Sequence, residues 1–302
     1  MSFDHVVVLG AGAIGSLYAA KLAAHHDVTI IARADHVAAI AQTGLRVVGH
    51  ETFTCHPRAV TVAPPLAART LVLVTTKVND NRAAAAGIAD KLRDDTIMLC
   101  VQNGLHGEDI VRSVVGQRCL VLRAITQFGA IFREPGVVDF KVSGYTLVEA
   151  HPRSAAIAKL LTDSGLDGRL CDTIAVEVWR KLIFNCVINP ITSIIGSDVG
   201  TIADERLDPL KQLVIDECLR VARAEGVTFE VDFIAALREV FGPSRNTASM
   251  RQDLLKGKPT EIDHMNGAVV ALGERLGIDC PMNRALVAII KAMERRSLKS
   301  EV

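Results

Sequence analysis

The sequence predicts a parallel α/β domain followed by an all-helical domain, with the join near residue 172. Three observations carry this. Short β-branched runs alternate with helical patterns over the first third of the chain, and close-spaced strand signals follow between residues 119 and 149. From Thr173 onward the strand signal stops and 3.6-residue periodicity takes over. In order, Val6-Val7-Val8-Leu9, Val28-Thr29-Ile30-Ile31, Leu71-Val72-Leu73-Val74 and Ile97-Met98-Leu99-Cys100-Val101 read as strands apolar on both faces. Such strands belong to a sheet covered on both sides. Ile14 to Ala24 and Asn81 to Leu92 read as the helices between them. Leu120-Val121-Leu122, Val137-Val138-Asp139-Phe140 and Tyr145-Thr146-Leu147-Val148 lie around the turn Glu134-Pro135-Gly136. They are expected to be antiparallel strands extending the sheet edge. The helical part holds Ala175 to Asn189, Pro209 to Glu225, Phe233 to Phe241, Glu261 to Arg275 and Asn283 to Arg296. Pro190, Gly226, Gly242-Pro243, Gly257-Lys258-Pro259 and Gly277 to Pro281 are the expected breakers. Domains 1–172 and 173–302 are expected to pack directly and leave a cleft, where small-molecule sites tend to lie.

Composition narrows the function classes. With 302 residues, 49% of them hydrophobic, the chain has material for proper cores and little reason for disorder. Its 34 Lys+Arg balance 34 Asp+Glu, whereas binding nucleic acid by phosphate neutralisation calls for a basic excess. The expected partner is therefore a small molecule, with any anion held locally. No apolar run approaches the ~18 residues of a membrane helix, and Met1-Ser2-Phe3-Asp4-His5 lacks a basic leader region. Seven cysteines without a CxxC pair, several inside apolar runs, read as reduced core thiols of a cytoplasmic protein. The nine His form no spaced cluster with Cys or carboxylates, so no metal is expected.

Gly10-Ala11-Gly12-Ala13-Ile14-Gly15 follows the first strand and opens the first helix. The first Gly permits a tight turn, the second lets backbone approach a pyrophosphate, and the third lets helix pack on strand. The helix N-terminus then offers unpaired N–H groups and a positive dipole to phosphate. The second strand ends Ile30-Ile31-Ala32-Arg33, without the acid that would bind a ribose 2′-OH. Arg33 suits a 2′-phosphate instead and points to NADP(H), although Asp35, two residues later, could still be that acid. Lys77 stands just past a strand end, where open α/β sheets bind ligands; it reads as a second nucleotide cation or as a plain surface lysine.

The most informative stretch is Trp179 to Pro190. Lys181, Asn185 and Asn189 stand at i, i+4 and i+8 on one face of an otherwise apolar helix. Such a helix is buried, and an ammonium and two amides cannot be buried without partners. Spacing leaves two readings open, an internal hydrogen-bonded seam or a row of donors lining a ligand cleft. Asn103, in Val101-Gln102-Asn103-Gly104, follows a strand at the carboxyl edge. Taken alone, Ser249 is a cap or first-turn residue and Glu261 a favourable charge at a helix N-terminus.

Together these blocks resemble the ketopantoate reductase family. They are Gly10 to Gly15, Lys77, Val101-Gln102-Asn103-Gly104, Trp179 to Pro190, Ser249-Met250-Arg251-Gln252-Asp253 and Thr260-Glu261-Ile262-Asp263, in the family's order along almost the whole chain. The resemblance implies a Rossmann-like doubly wound domain with an antiparallel extension, an all-helical domain, NADPH, and reduction of 2-dehydropantoate in pantothenate synthesis. It further implies Lys181 as proton donor and Asn103 as the residue touching both nicotinamide and substrate. Asn185, Asn189 and Ser249 become substrate ligands, and Glu261 the carboxylate near substrate hydroxyl and cofactor. Ala130 becomes a backbone contact to the nicotinamide. Two places depart from the family. Val137 to Gly144 replaces a frequent His followed by Gly-x-Gly, and Val199 stands where some members offer a polar substrate contact.

Hydride delivery to a ketone leaves a strongly basic alkoxide, and a lysine ammonium beside it is a suitable acid. Two rivals remain: a paralogous reductase of another small 2-oxo acid, and a nucleotide-binding protein without turnover. The apolar residues Leu286, Val287, Ile289, Ile290 and Met293 read either as core or as a homodimer interface.

Overall fold

The computed structural model describes residues 3–297. The chain divides into two compact units, residues 1–102 with 106–174, and residues 103–105 with 175–302. Among the described residues, the first unit is built on an eight-stranded sheet. Its strands are β1 (His5–Leu9), β2 (Val28–Ile31), β5 (Arg58–Val60), β6 (Thr70–Val74), β7 (Ile97–Val101), β8 (Leu120–Thr126), β11 (Thr146–Glu149) and β12 (Gly168–Cys171). The order is β12-β11-β8-β7-β6-β1-β2-β5. β1 pairs in parallel with both β2 and β6. The strand order thus reverses at β1, and ligands of doubly wound sheets bind outside the carboxyl ends at such a point. β6, β7 and the central residues of β1 are buried throughout, which explains their continuous apolar runs. Helices α1 (Ala13–Leu22), α2 (Ala34–Thr43), α3 (Asn81–Ile88), α4 (Gly107–Val115) and α5 (Ser154–Asp163) complete the unit.

The 119–149 region differs in part from the sequence expectation. β8 runs parallel to β7, and β11 alone makes the antiparallel step back onto β8. The strand at Val137–Val142 (β10) instead pairs with β9 (Gly129–Glu134) and with β3 (Leu45–Gly49), beside β4 (Phe53–Cys55), in a separate four-stranded sheet. Val138 and Phe140 are buried with Leu45 and Val47 in the core beneath α1. A partner strand ninety residues upstream leaves no local trace, so spacing alone put β10 on the wrong sheet.

The second unit is helical: α6 (Ile174–Ile195), α7 (Asp208–Ala224), α8 (Phe233–Phe241), α9 (Ser249–Leu255), α10 (Asn266–Leu276) and α11 (Pro281–Ser297). Pro190, read as a breaker, lies inside α6. A mid-helix proline removes the N–H that would bind the carbonyl four residues back. That carbonyl belongs to Cys186, and the buried Asn266 Nδ2 donates to it at 2.9 Å. The helix continues because a side chain replaces the missing donor. The segment expected as one helix from Glu261 is a short 3-10 turn, Ile262–His264, then a break at Met265 and α10. On α11, Leu286 and Ile290 enter the core, Val287 and Met293 pack against it, and Ile289 is exposed. No described helix is long and apolar enough to cross a membrane.

Candidate active site

The glycine loop has the geometry its spacing implies. Gly10 has φ +100°, and a Cβ there would lie 2.6–2.9 Å from Thr76. A Cβ on Gly15 would lie 2.2 Å from the Gly10 carbonyl and 2.5 Å from Thr75 Oγ1, so helix and strand touch at backbone distance. A Cβ on Gly12 would meet nothing within 4 Å. The middle glycine therefore faces open space at the N-terminus of α1, where no side chain caps the helix. This cradle fits a pyrophosphate. Ala11, Ala13 and Ile14 complete the turn. Arg33 is exposed two residues past β2, at the N-cap of α2. Lys77 is half-buried after β6, at the head of the 3-10 turn Val78–Asp80. Ala130 lies in β9, opposite Phe140 of the second sheet.

The carboxyl ends of β6 and β7 are tied by polar side chains that the sequence did not single out. Gln102 Nε2 donates to the Thr76 carbonyl at 2.6 Å, and Asn81 Nδ2 donates to Gln102 Oε1 and to the Gly107 carbonyl, both at 2.9 Å. Arg123, buried in β8, donates to the Gln102 carbonyl at 2.7 Å and pairs with Glu108 at 2.9 Å. An arginine in the apolar run Leu120 to Ile125 was the available signal, since a buried guanidinium needs partners. Immediately after this anchor, Asn103, Gly104 and Leu105 pass into the helical unit. Leu105 joins its core, and Gly104, at φ +81°, would bring a Cβ to 2.5 Å from the His264 carbonyl. Asn103 lies in the chain between Gln102 and Gly104.

Within the helical unit, α6 carries Lys181, Asn185 and Asn189 on one face. Asn189 is buried: its Oδ1 accepts from Ser249 Oγ at 3.3 Å, and its Nδ2 lies 3.7 Å from Met265 Sδ. Ser249, in the first turn of α9, thereby sits beside Asn189. Asn185 Nδ2 is buried without a hydrogen-bond partner among the described residues. Lys181, one turn earlier, is half-buried. Glu261 precedes the 3-10 turn at Ile262, half-buried between the buried Thr260 and Ile262. Val199 is buried in the core, its N–H donating to the Asn246 carbonyl at 2.8 Å.

The chain is similar to known proteins over nearly its whole length. Residues 6–153 match the family model described as ketopantoate reductase PanE/ApbA, and residues 173–294 match its C-terminal counterpart. A 2-dehydropantoate 2-reductase of Pyrococcus horikoshii is 33% identical over 297 residues, covering 96% of this chain and 97% of that protein. One from Archaeoglobus fulgidus is 32% identical, covering 97% and 99%. The crystal structure of a PanE/ApbA family ketopantoate reductase from Ralstonia eutropha JMP134 superimposes with a TM-score of 0.88 at 32% identity, covering 97% and 99% of the two chains. A D-mandelate dehydrogenase solved with NADH and anilino(oxo)acetate gives 0.87 at 25% identity, with the same coverage. Its relatives make this chain an oxidoreductase. The chain belongs to the ketopantoate reductase family.

Proposed function

We propose that this chain reduces 2-dehydropantoate to pantoate with NADPH, using Lys181 as general acid. The observation that carries the proposal is the buried Nδ2 of Asn185, which has no hydrogen-bond partner among the described residues and lies one helical turn from Lys181. An unpaired buried donor costs ~1–3 kcal/mol, and a small polar acid supplies the missing acceptor. Reduced nicotinamide, when bound, supplies the hydride. The residues of the chain do the rest. Lys181 donates a proton to the carbonyl oxygen, a contribution of typically ~10²–10⁴-fold. Asn103, Asn185, Asn189 and Ser249 orient the substrate carboxylate and hydroxyl. Glu261 is the carboxylate beside the substrate hydroxyl and the cofactor, and Ala130 offers backbone to the nicotinamide. Gly10 to Gly15 cradle the pyrophosphate, with Lys77 as a second cation. Exposed Arg33 after β2, with no acid at the strand end, favours the 2′-phosphate of NADPH.

A second reading, reduction of another small 2-oxo acid, is favoured by Val199, whose burial removes a polar contact that some family members have. The likeness to a D-mandelate dehydrogenase supports it too. Steady-state oxidation of NADPH and of NADH against a panel of 2-oxo acids separates the two. The first reading expects the highest kcat/KM with 2-dehydropantoate and NADPH. A higher value with another acid establishes the second, and no oxidation with any acid contradicts both.

A further inference from the structure

Glu261 sits on a short segment with little regular structure of its own, a 3-10 turn broken at Met265. What holds that segment comes from α11. Glu294, buried near the end of that helix, accepts two hydrogen bonds at one oxygen, from the Thr260 N–H at 2.8 Å and from Thr260 Oγ1 at 2.6 Å. Thr260 Oγ1 in turn accepts the Ile262 N–H at 3.2 Å. The other carboxylate oxygen of Glu294 lies 3.1 Å from Lys291 Nζ, which reaches Asp263 at 2.7 Å. The residues on both sides of Glu261 are therefore fixed to one face of one helix: Thr260 and Ile262 through Glu294, Asp263 through Lys291.

We propose that Glu294 is a positioning residue, acting through Thr260 to hold the Glu261 carboxylate in its working place. The proposal rests on the assignment of Glu261 to the reaction made above. The chemistry of the clamp argues for positioning rather than simple packing. A carboxylate buried at this depth would be costly without donors, and it takes both of its nearest ones from a single residue adjoining Glu261. Two hydrogen bonds that meet at one oxygen tie Thr260 to the reach of the Glu294 side chain. A catalytic group misplaced by about 1 Å can lose ~10²-fold in rate, so a clamp one residue away is sensitive to its own reach.

Two substitutions separate reach from charge. Glu294→Gln keeps an acceptor oxygen for Thr260 but loses the ion pair with Lys291. Glu294→Asp keeps the charge but withdraws the acceptor by one methylene. Each is made alone and with Glu261→Gln, and kcat, KM for NADPH and thermal midpoint are measured on the full chain. The expected result is that Glu294→Asp lowers kcat at least tenfold with KM for NADPH unchanged within twofold. Glu294→Gln stays within threefold of the parent. In the Glu261→Gln background, the Glu294→Asp effect disappears. Three results overturn the proposal: unchanged kcat in Glu294→Asp, the same fold-loss with and without Glu261, or a larger loss in Glu294→Gln than in Glu294→Asp. Should Glu294→Asp fail to fold, the Glu294→Gln comparison still decides, because a tenfold loss there contradicts a role carried by hydrogen-bond reach. A Glu261→Gln variant with parental kcat removes the assignment of Glu261 itself, an outcome distinct from failure of the clamp alone.

Discussion

Single atoms decide most at the glycine loop. A methyl on Gly15 would collide with the Gly10 carbonyl and Thr75 Oγ1, whereas a methyl on Gly12 would touch nothing in the protein. Packing therefore constrains Gly15, whereas the protein itself leaves room at Gly12. Gly15→Ala is expected to lower the thermal midpoint clearly. Gly12→Ala is expected to leave the midpoint within a degree or two while weakening NADPH binding at least tenfold, read by fluorescence titration. A Gly12→Ala variant that melts early, or binds as before, contradicts the assignment. These glycines were legible in the sequence because their roles are local, set by a strand, a turn and a helix start within a dozen residues. Arg123 was harder to place, because its partners Gln102 and Glu108 come from other parts of the chain. The split between Asn185 and Asn189 was not legible at all. Their spacing is identical to a helical eye, and only the arrival of Ser249 and Met265 beside Asn189 distinguishes them.

At the scale of elements, α6 shows how a local rule is overridden by a distant side chain. Pro190 should end a helix, and in isolation it would leave the Cys186 carbonyl unpaired. Asn266, 80 residues later, supplies the donor. It also donates to Asn283 Oδ1, while Asn283 Nδ2 donates to the buried Glu217 carboxylate, which accepts the Met282 and Asn283 N–H groups at the start of α11. One polar chain thus connects α6, α10, α7 and α11. Removing its first member should cost ~1–3 kcal/mol for the orphaned carbonyl. Asn266→Leu is therefore expected to lower the thermal midpoint by several degrees. Pro190→Ala, which restores a backbone donor to Cys186, should recover part of that loss in the double variant. Strictly additive effects of the two substitutions would show that they do not share the carbonyl. The long-range origin of such pairing also explains the strand placed on the wrong sheet: β10 has a plain strand pattern, and its partner β3 lies far upstream.

For the whole molecule, both units carry imidazoles that burial keeps neutral. His26 and His36 in the α/β unit and His264 in the helical unit all have pKa values lowered by desolvation. At His36 the nearby Asp35 opposes the shift and Arg33 adds to it. Its ring accepts the Gly136 N–H at Nδ1, 2.9 Å, and stands 3.1 Å from Ser16 Oγ at Nε2. A folded pKa below the unfolded value of about 6.5 means the unfolded chain binds protons first. The stabilisation is complete above that value and is lost as pH falls through the lowered one. The thermal midpoint is expected to be flat from pH 7 to 8 and to fall between pH 6.5 and 5, with a shallower fall in His36→Gln. A midpoint independent of pH over that range contradicts this.

The division into an α/β and a helical part, the glycine cradle and the Lys181 face were all readable, because each rests on periodicity or on a short motif. The second sheet, the Gln102 clamp and the bonds from Thr260 to Glu294 depend on contacts between distant segments, whose pairing the linear chain does not show. The proposed reduction requires the ammonium of Lys181. Its most direct test is single-turnover NADPH oxidation by Lys181→Ala with 2-dehydropantoate, alongside equilibrium binding of NADPH. The expected result is a rate reduced by a hundredfold or more with NADPH affinity nearly intact. A rate close to that of the parent protein would contradict the account.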